Sequence, residues 1–432
     1  MSLYNRIGVL AVAITLSCNC LILSNANAQG LGNSPYSSLG MGEFYGDAYS
    51  DNAGMGQSGV STGNGFQINN LNPALWTRNR FTTLDIGIIG QYKDIVSGNK
   101  QQQTAGANLA YVSLAFPVSR RWTLGASLKP YSFIDFENTS ARNIPGTPNS
   151  AVYYNSGKGG INKASITNAY QIGRYVSLGL ESSYFFGNIR RASEVLIPLD
   201  VNGSDYLVGI NDRTTYSDFA FKGGAAVRIP IKKDNKLDLN LGGSYSFKTR
   251  INGNQTSTLE LTQNTFVVGN SDTLTNNLSS TLTVPQQYQV GMSLEWPFKL
   301  ILSADYSHQS WSQYRGFNTS SNDGLTNTSR IHLGVEYQPR FLSLNYFDRV
   351  RYRVGFSHGN TPYVVNNRDV KDTNVSLGFT FPMGRGYQNF ISLAFIGGQR
   401  GATGSGMIRE RYGRAVLGIT LLDRWFEKQK LN

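Results

Sequence analysis

From about residue 82 onward the chain alternates apolar and polar residues with a period of two, the mark of a β-strand with one greasy and one polar face. In "KLDLNLGGSYSF", Leu237, Leu239, Leu241, Tyr245 and Phe247 share one face, and Asp238, Asn240, Gly242, Ser244 and Ser246 the other. "NVSLGFTF" sets Val375, Leu377, Phe379 and Phe381 against Ser376, Gly378 and Thr380, and "RIHLGVEY" sets Ile331, Leu333, Val335 and Tyr337 against His332, Gly334 and Glu336. Fourteen such runs start near residues 82, 106, 120, 160, 174, 215, 236, 282, 298, 328, 350, 372, 389 and 409. An even number suits a single-chain barrel that closes on itself in an outer membrane. A soluble sandwich also alternates, so two further features decide. Tight links such as "PVSRR", "IGR" and "PFK" trade places with long polar ones such as "ENTSARNIPGTPNSAVYYNSGKGG" and "INGNQTSTLELTQNTFVVGNSDTLTNN", the rhythm of short periplasmic turns and long extracellular loops. Aromatics also gather where strands meet the short turns, at Trp122, Tyr175, Trp296, Phe298, Tyr337, Tyr352, Trp425 and Phe426, as a girdle at one membrane interface requires. The expected fold is all-β: a transmembrane antiparallel β-barrel of about 14 strands.

Composition agrees. Only 15% of the residues are charged, against about 25% in soluble proteins, and no apolar run reaches the ~18 residues of a membrane helix. The first 28 residues read as a secretory signal peptide: Arg6 supplies the positive region, residues 7–16 a short apolar core, and Ala26-Asn27-Ala28 the small residues before a cut near Ala28. Cys18 and Cys20 both lie within it, so the expected mature chain has no disulfide and no thiol chemistry. The formal charge of +12, on an exported chain, points to lipid headgroups or acidic glycans rather than nucleic acid.

Before the first run, about 50 residues lack alternation and are rich in glycine. "AGMGQSGV" holds Gly54-x-Gly56-x-x-Gly59, the spacing of a dinucleotide loop. That reading fails, because no buried strand precedes the glycines, no helix-forming stretch follows, and no carboxylate stands about 20 residues on. A segment folded back inside a barrel gives them another use, since it must turn sharply and meet the wall backbone to backbone. A disordered exported arm is the alternative.

"GMGQSGVSTGNGFQINNLNPALW" resembles the N-terminal hatch of the FadL superfamily of outer-membrane proteins, whose PorV branch includes Bacteroidetes-type members. Gly54, Gly56 and Gly59 match its glycine stretch, and Asn72, Pro73 and Ala74 its Asn-Pro-Ala segment. The upstream "NSPYSSLGMGEF" resembles a start common among barrels of the Bacteroidetes type. The resemblance implies a signal peptide at 1–28, a hatch at 29–80, a fourteen-stranded barrel at 81–426 and a periplasmic tail at 427–432. It implies transport of hydrophobic compounds such as long-chain fatty acids through a lateral opening beside an inward kink in the third strand. Here that strand, "WTLGASLKPYSFIDF", contains Pro130, which donates to no ladder and marks a bulge or break, so Lys129 and Pro130 are the candidate gate kink. If alternation runs through the proline, Leu128, Ile134 and Phe136 face lipid, and Tyr131 and Phe133 face the lumen as candidate ligand contacts. A bulge reverses that assignment. The alternative is a PorV-like, non-enzymatic subunit of a type IX protein-export or outer-membrane assembly machine that binds protein partners. No enzyme, cofactor or metal is expected: the three histidines, His308, His332 and His358, lack metal-ligand spacing, and Ser310 beside His308 reads as a polar strand-end residue.

Overall fold

The computed structural model describes residues 31–145, 150–197, 206–232, 237–263, 266–267, 271–384, 389–404 and 406–423. The expected signal peptide at 1–28, the expected tail at 427–432 and the aromatics Trp425 and Phe426 lie outside them. Fourteen antiparallel strands form one closed ring. They are β1 (Thr82–Ser97), β2 (Lys100–Pro117), β3 (Trp122–Asn143), β4 (Ser150–Ile172), β5 (Val176–Ile197) and β6 (Tyr206–Lys232). Next come β7 (Leu237–Ser246 continued by Thr249–Gln263) and β8 (Asp272–Val284 continued by Gln287–Trp296). The ring is completed by β9 (Leu300–Gln309), β10 (Thr328–Tyr337), β11 (Arg351–Val365), β12 (Arg368–Met383), β13 (Asn389–Arg400) and β14 (Ile408–Asp423). Each strand pairs with its sequence neighbours, and β14 closes on β1 from Ile408 opposite Ser97 to Asp423 opposite Thr82. Closure pairs the last strand with the first, so neither is left as a free edge in lipid, which is what allows strands to cross a bilayer.

The alternation is inside out relative to a soluble protein. On β10, Ile331, Leu333, Val335 and Tyr337 are exposed, whereas His332 and Gly334 are buried. On β12, Val375 and Leu377 point outward while Asn374, Ser376 and Thr380 are buried. Ile166, Phe219 and Met292 continue the same belt on other strands, more than half exposed. Such a surface is stable against lipid tails, not water. Tyr175, Phe298 and Tyr337 are exposed at the short-turn end, where the girdle was expected. The largest fully buried side chains include Trp76, Tyr49, Tyr36, Leu31 and Met41, all from the N-terminal segment. The core is therefore the filled lumen.

The long links differ from expectation. Most of 137–160 and 251–277 is strand, extending β3, β4, β7 and β8 into tall hairpins. These stretches are mostly polar and carry no sustained alternation, yet their backbone ladders hold them extended.

Candidate functional site: hatch, inward-bent third strand and adjoining cavity

The N-terminal segment is seated on a bed of glycines. Helix α1 (Ser50–Gly54) ends at Gly54, and a Cβ on Gly378 of β12 would lie 2.9 Å from the Gly54 Cα. A Cβ on Gly355 of β11 would lie 1.9 Å from the Gly56 nitrogen. Wall glycines on other strands repeat this, with Gly125 under Trp76, Gly179 and Gly224 under Pro73, Gly242 under Val60, Gly334 under Met55 and Gly418 under Ser50. Gly56 and Gly59 adopt φ of 67° and 112°, which side chains resist. The turn so formed aims the Gly59 and Val60 N–H groups at Asp305 Oδ2 of β9, at 2.7 and 2.8 Å. Asn72 caps the 3-10 turn Pro73–Arg78 by accepting from the Ala74 N–H at 3.0 Å. Its amide donates to Val60 O and to Ala225 O of β6, and Ala74 is fully buried. All six hatch residues singled out in the sequence thus meet at the interface between segment and wall.

Charge reinforces the seating. Three carboxylates recur every four residues along the segment, and each meets cations projecting inward from strands. Glu43 pairs with Lys93 of β1 and Arg400 of β13. Asp47 pairs with Lys129 of β3 at 2.8 Å and Lys222 of β6 at 2.9 Å, and lies 4.0 Å from Lys163 of β4. Asp51 pairs with Arg353 of β11 at 2.9 Å. Burial alone would raise the carboxyls of Glu43 and Asp47, but the surrounding cations outweigh it and hold both well below the usual carboxylate range. Sequence reading missed this network. Its visible signal was cations in mid-strand on the polar face, where a lone charge would be costly.

The third strand departs from the ring at the proline. Strands β2 and β3 share only six pairs, from Val112 opposite Leu128 to Pro117 opposite Thr123. Beyond Leu128 the β3 edge leaves β2 and pairs instead with the two-residue strand Glu43–Phe44 of the hatch, Glu43 facing Phe133 and Phe44 facing Ser132. Ser34 and Tyr45 donate backbone N–H bonds to Asp135 O and Tyr131 O of the same edge. On the other side Asn33 N donates to Thr104 Oγ1 of β2, and Asn108 of β2 donates to the Tyr45 hydroxyl. Residues 33–45 thus fill the gap between β2 and β3. Against β4 the register shifts between Pro130 and Ser132, so Tyr131 is the extra residue of a bulge.

Continuous alternation through the proline therefore does not hold. Ile134 and Phe136, which it would put against lipid, are buried in the internal cluster with Tyr36, Met41 and Phe185. Tyr131 packs edge-on against Phe44 and Phe185, and Phe133 is covered by Tyr45. Lys129 is buried and turned inward, donating to Gly46 O and Asp47. A cavity of about 200 Å³ adjoins this bend, bordered by the rings of Phe44, Tyr131 and Trp311 and by charges of both signs, Arg330, Arg400 and Arg414 with Glu43, Asp47 and Asp372.

The histidines are separate and structural. His332 Nδ1 lies 2.9 Å from Gly56 O, an acceptor, so Nδ1 carries the proton and pins the hatch turn; its Nε2 meets Ser307 at 3.0 Å. His308 bonds Ser329 rather than Ser310, and His358 bonds Thr373.

The same fold occurs in solved structures. A Pseudomonas aeruginosa FadL homologue superposes with a TM-score of 0.58 at 13% identity, covering 89% of this chain and 99% of its own. The CymD monoaromatic hydrocarbon channel gives 0.53 at 15% identity, with 87% and 97% covered. The Ralstonia pickettii toluene transporter TbuX gives 0.52 at 15% identity, with 87% and 98% covered. The fold is therefore that of the FadL-type outer-membrane barrels. No curated protein sequence matches the chain. Residues 11–432, nearly the whole sequence, match the BamG family profile, and the chain belongs to the BamG family.

Proposed function

We propose that this chain is a non-enzymatic outer-membrane conduit for an amphiphile with an apolar tail and an anionic head, such as a long-chain fatty acid, released sideways between β2 and β3. The observation that carries this reading is the short β2–β3 ladder, which ends at Val112 and Leu128 beside the inward bend of β3. The adjoining cavity offers Phe44, Tyr131 and Trp311 to a tail and Arg414 to a carboxylate, while its Arg330 is already paired with Asp372 at 3.5 Å. Similar barrels named a toluene transporter and a monoaromatic hydrocarbon channel support a hydrophobic cargo; Arg414, which is in no ion pair among the described residues, favours a carboxylated one. On this reading Lys129 and Pro130 form the gate kink, and residues 33–45 are the part that shifts. Tyr131 then touches the ligand at rest, and Phe133 only after Tyr45 moves away. The hatch spans 29–80, the barrel 81–426 and the periplasmic tail 427–432, once the signal peptide is cut near Ala28.

A second reading, a PorV-like subunit of a type IX export or outer-membrane assembly machine, draws on one loop. After β10, the short-turn end carries Leu342, Leu344 and Phe347 at 81%, 105% and 66% exposure, an apolar tip suited to a protein partner. Extraction of the purified barrel followed by lipid mass spectrometry separates the two. Near-stoichiometric acyl ligand upholds the conduit. A ligand-free barrel that carries a protein lost on Leu344→Asp substitution overturns it in favour of the subunit reading.

A further inference from the structure

Beyond the apolar belt, on the outward faces of β4, β5 and β6, lie three exposed cations: Lys158, Arg190 and Arg213. The register sets Lys158 opposite Arg190 and Arg190 opposite Arg213, so the charges form one row across three neighbouring strands. Like charges placed directly opposite destabilise a sheet, yet none of the three belongs to an ion pair among the described residues. Asp135 of β3 faces Lys158 at one end of the row, and Thr256 of β7 faces Arg213 at the other, leaving the row net positive.

Its level on the barrel is defined by what lies on either side. Toward the belt come Asn188 and Thr215, then Phe186, then Tyr184 and Phe219 with rings 5.0 Å apart. Four residues separate Phe186 from Arg190, roughly 13 Å of strand, or about 10 Å of height at a ~40° tilt. That is just beyond the ~5–8 Å polar layer of a phospholipid leaflet, at a level that the larger sugar headgroup of a glycolipid reaches. The surface is concave here, with the three cations lining a groove beside Asn188, Thr215 and Asn254. Asp212 and Glu260 line the same groove; Glu260, like Glu194, is opposite Gly209, four residues farther from the bilayer than the row. Positive charge is thus segregated to the side nearest the lipid.

We propose that this row binds the phosphorylated headgroup of a glycolipid in the leaflet at the tall-hairpin end of the barrel. Each arginine presents a planar fork to phosphate oxygens, the lysine adds a point charge, and Asn188, Thr215 and Asn254 meet sugar hydroxyls. The inference needs only the membrane-embedded barrel and is independent of the conduit reading.

Native mass spectrometry of the detergent-solubilised full-length protein tests it, with bisphosphorylated lipid A, its dephosphorylated form and inorganic phosphate as probes. One lipid A per barrel is expected, with affinity falling at least about tenfold in the triple variant K158Q/R190Q/R213Q. The dephosphorylated form is expected to bind wild type no better than lipid A binds that variant. Arg213→Lys, which keeps the charge but loses the fork, should fall between the two and guards against misfolding of the triple variant. Equal lipid A binding by wild type and both variants, or equal binding of the dephosphorylated form, overturns the proposal. Displacement of lipid A by equimolar inorganic phosphate would mark a free-anion site and overturn it too.

Discussion

At Gly355 the seating of the hatch comes down to one hydrogen atom. A methyl group there would sit 1.9 Å from the Gly56 nitrogen, and both partners are backbone, with no flexible side chain to swing aside. Gly355→Ala is therefore expected to cost about 1–3 kcal/mol through overpacking. Loss of the compact, heat-modifiable electrophoretic form should then occur several degrees lower. Gly397→Ala on β13, whose added methyl meets nothing within 4 Å, should leave that temperature unchanged; equal shifts in both variants would remove the glycine bed as the explanation. Half of this contact was legible in the sequence. The cluster at Gly54, Gly56 and Gly59 sat in a stretch without alternation, so it stood out as a place for sharp turns and close approach. Gly355 and Gly378 did not, because a glycine on the polar face of a strand looks like any small lumen residue until its partner across the lumen is known. The same holds for Lys129, noticed for its neighbour Pro130 rather than for Asp47, its partner 82 residues away in sequence.

Among elements, the strands were more legible than their lengths. Runs expected near 82, 328, 350, 389 and 409 begin within a residue of β1, β10, β11, β13 and β14, whereas those expected near 160 and 282 begin ten residues earlier, at Ser150 and Asp272. Alternation reports burial against lipid, so it ends where the belt ends, while the hydrogen-bond ladder continues. The bend in β3 was legible as a break at Pro130 but not as a change of partner, since no local pattern tells an edge that it will pair with residues 43–44. Proline removes a donor at the place where the β2–β3 ladder stops. Pro130→Val restores it, and if the opening is a gate, amides of β2 between residues 104 and 110 should gain exchange protection while uptake of a fluorescent fatty acid into proteoliposomes slows several-fold. Gained protection with unchanged uptake would leave the bend as architecture and remove it as the gate.

The molecule as a whole is a polar lumen whose charge balance depends on its own N-terminal segment. Around Asp47 the wall contributes Lys129, Lys163 and Lys222, with Glu181 as the nearby wall carboxylate, 2.6 Å from Lys163. Around Glu43 it contributes Lys93 and Arg400, the latter shared with Glu410 at 3.3 Å. Removing the segment takes away Glu43, Asp47 and Asp51 together and leaves these cations facing water in a tube. Open water lowers the penalty of each unpaired charge, because a wet lumen solvates it as the packed one cannot. The ring, closed by strand pairing between β14 and β1, should therefore survive. A barrel lacking residues 31–80 is then expected to insert into planar bilayers as an open pore that prefers chloride to potassium, where the intact protein stays nearly closed. The preference follows from field, not from pore width: anions are drawn to a constriction lined by the unpaired lysines. It should weaken in the same deletion carrying Lys129→Gln and Lys222→Gln, and a cation-selective pore, or one whose selectivity ignores those lysines, would show that the hatch carboxylates do not set the charge of the lumen.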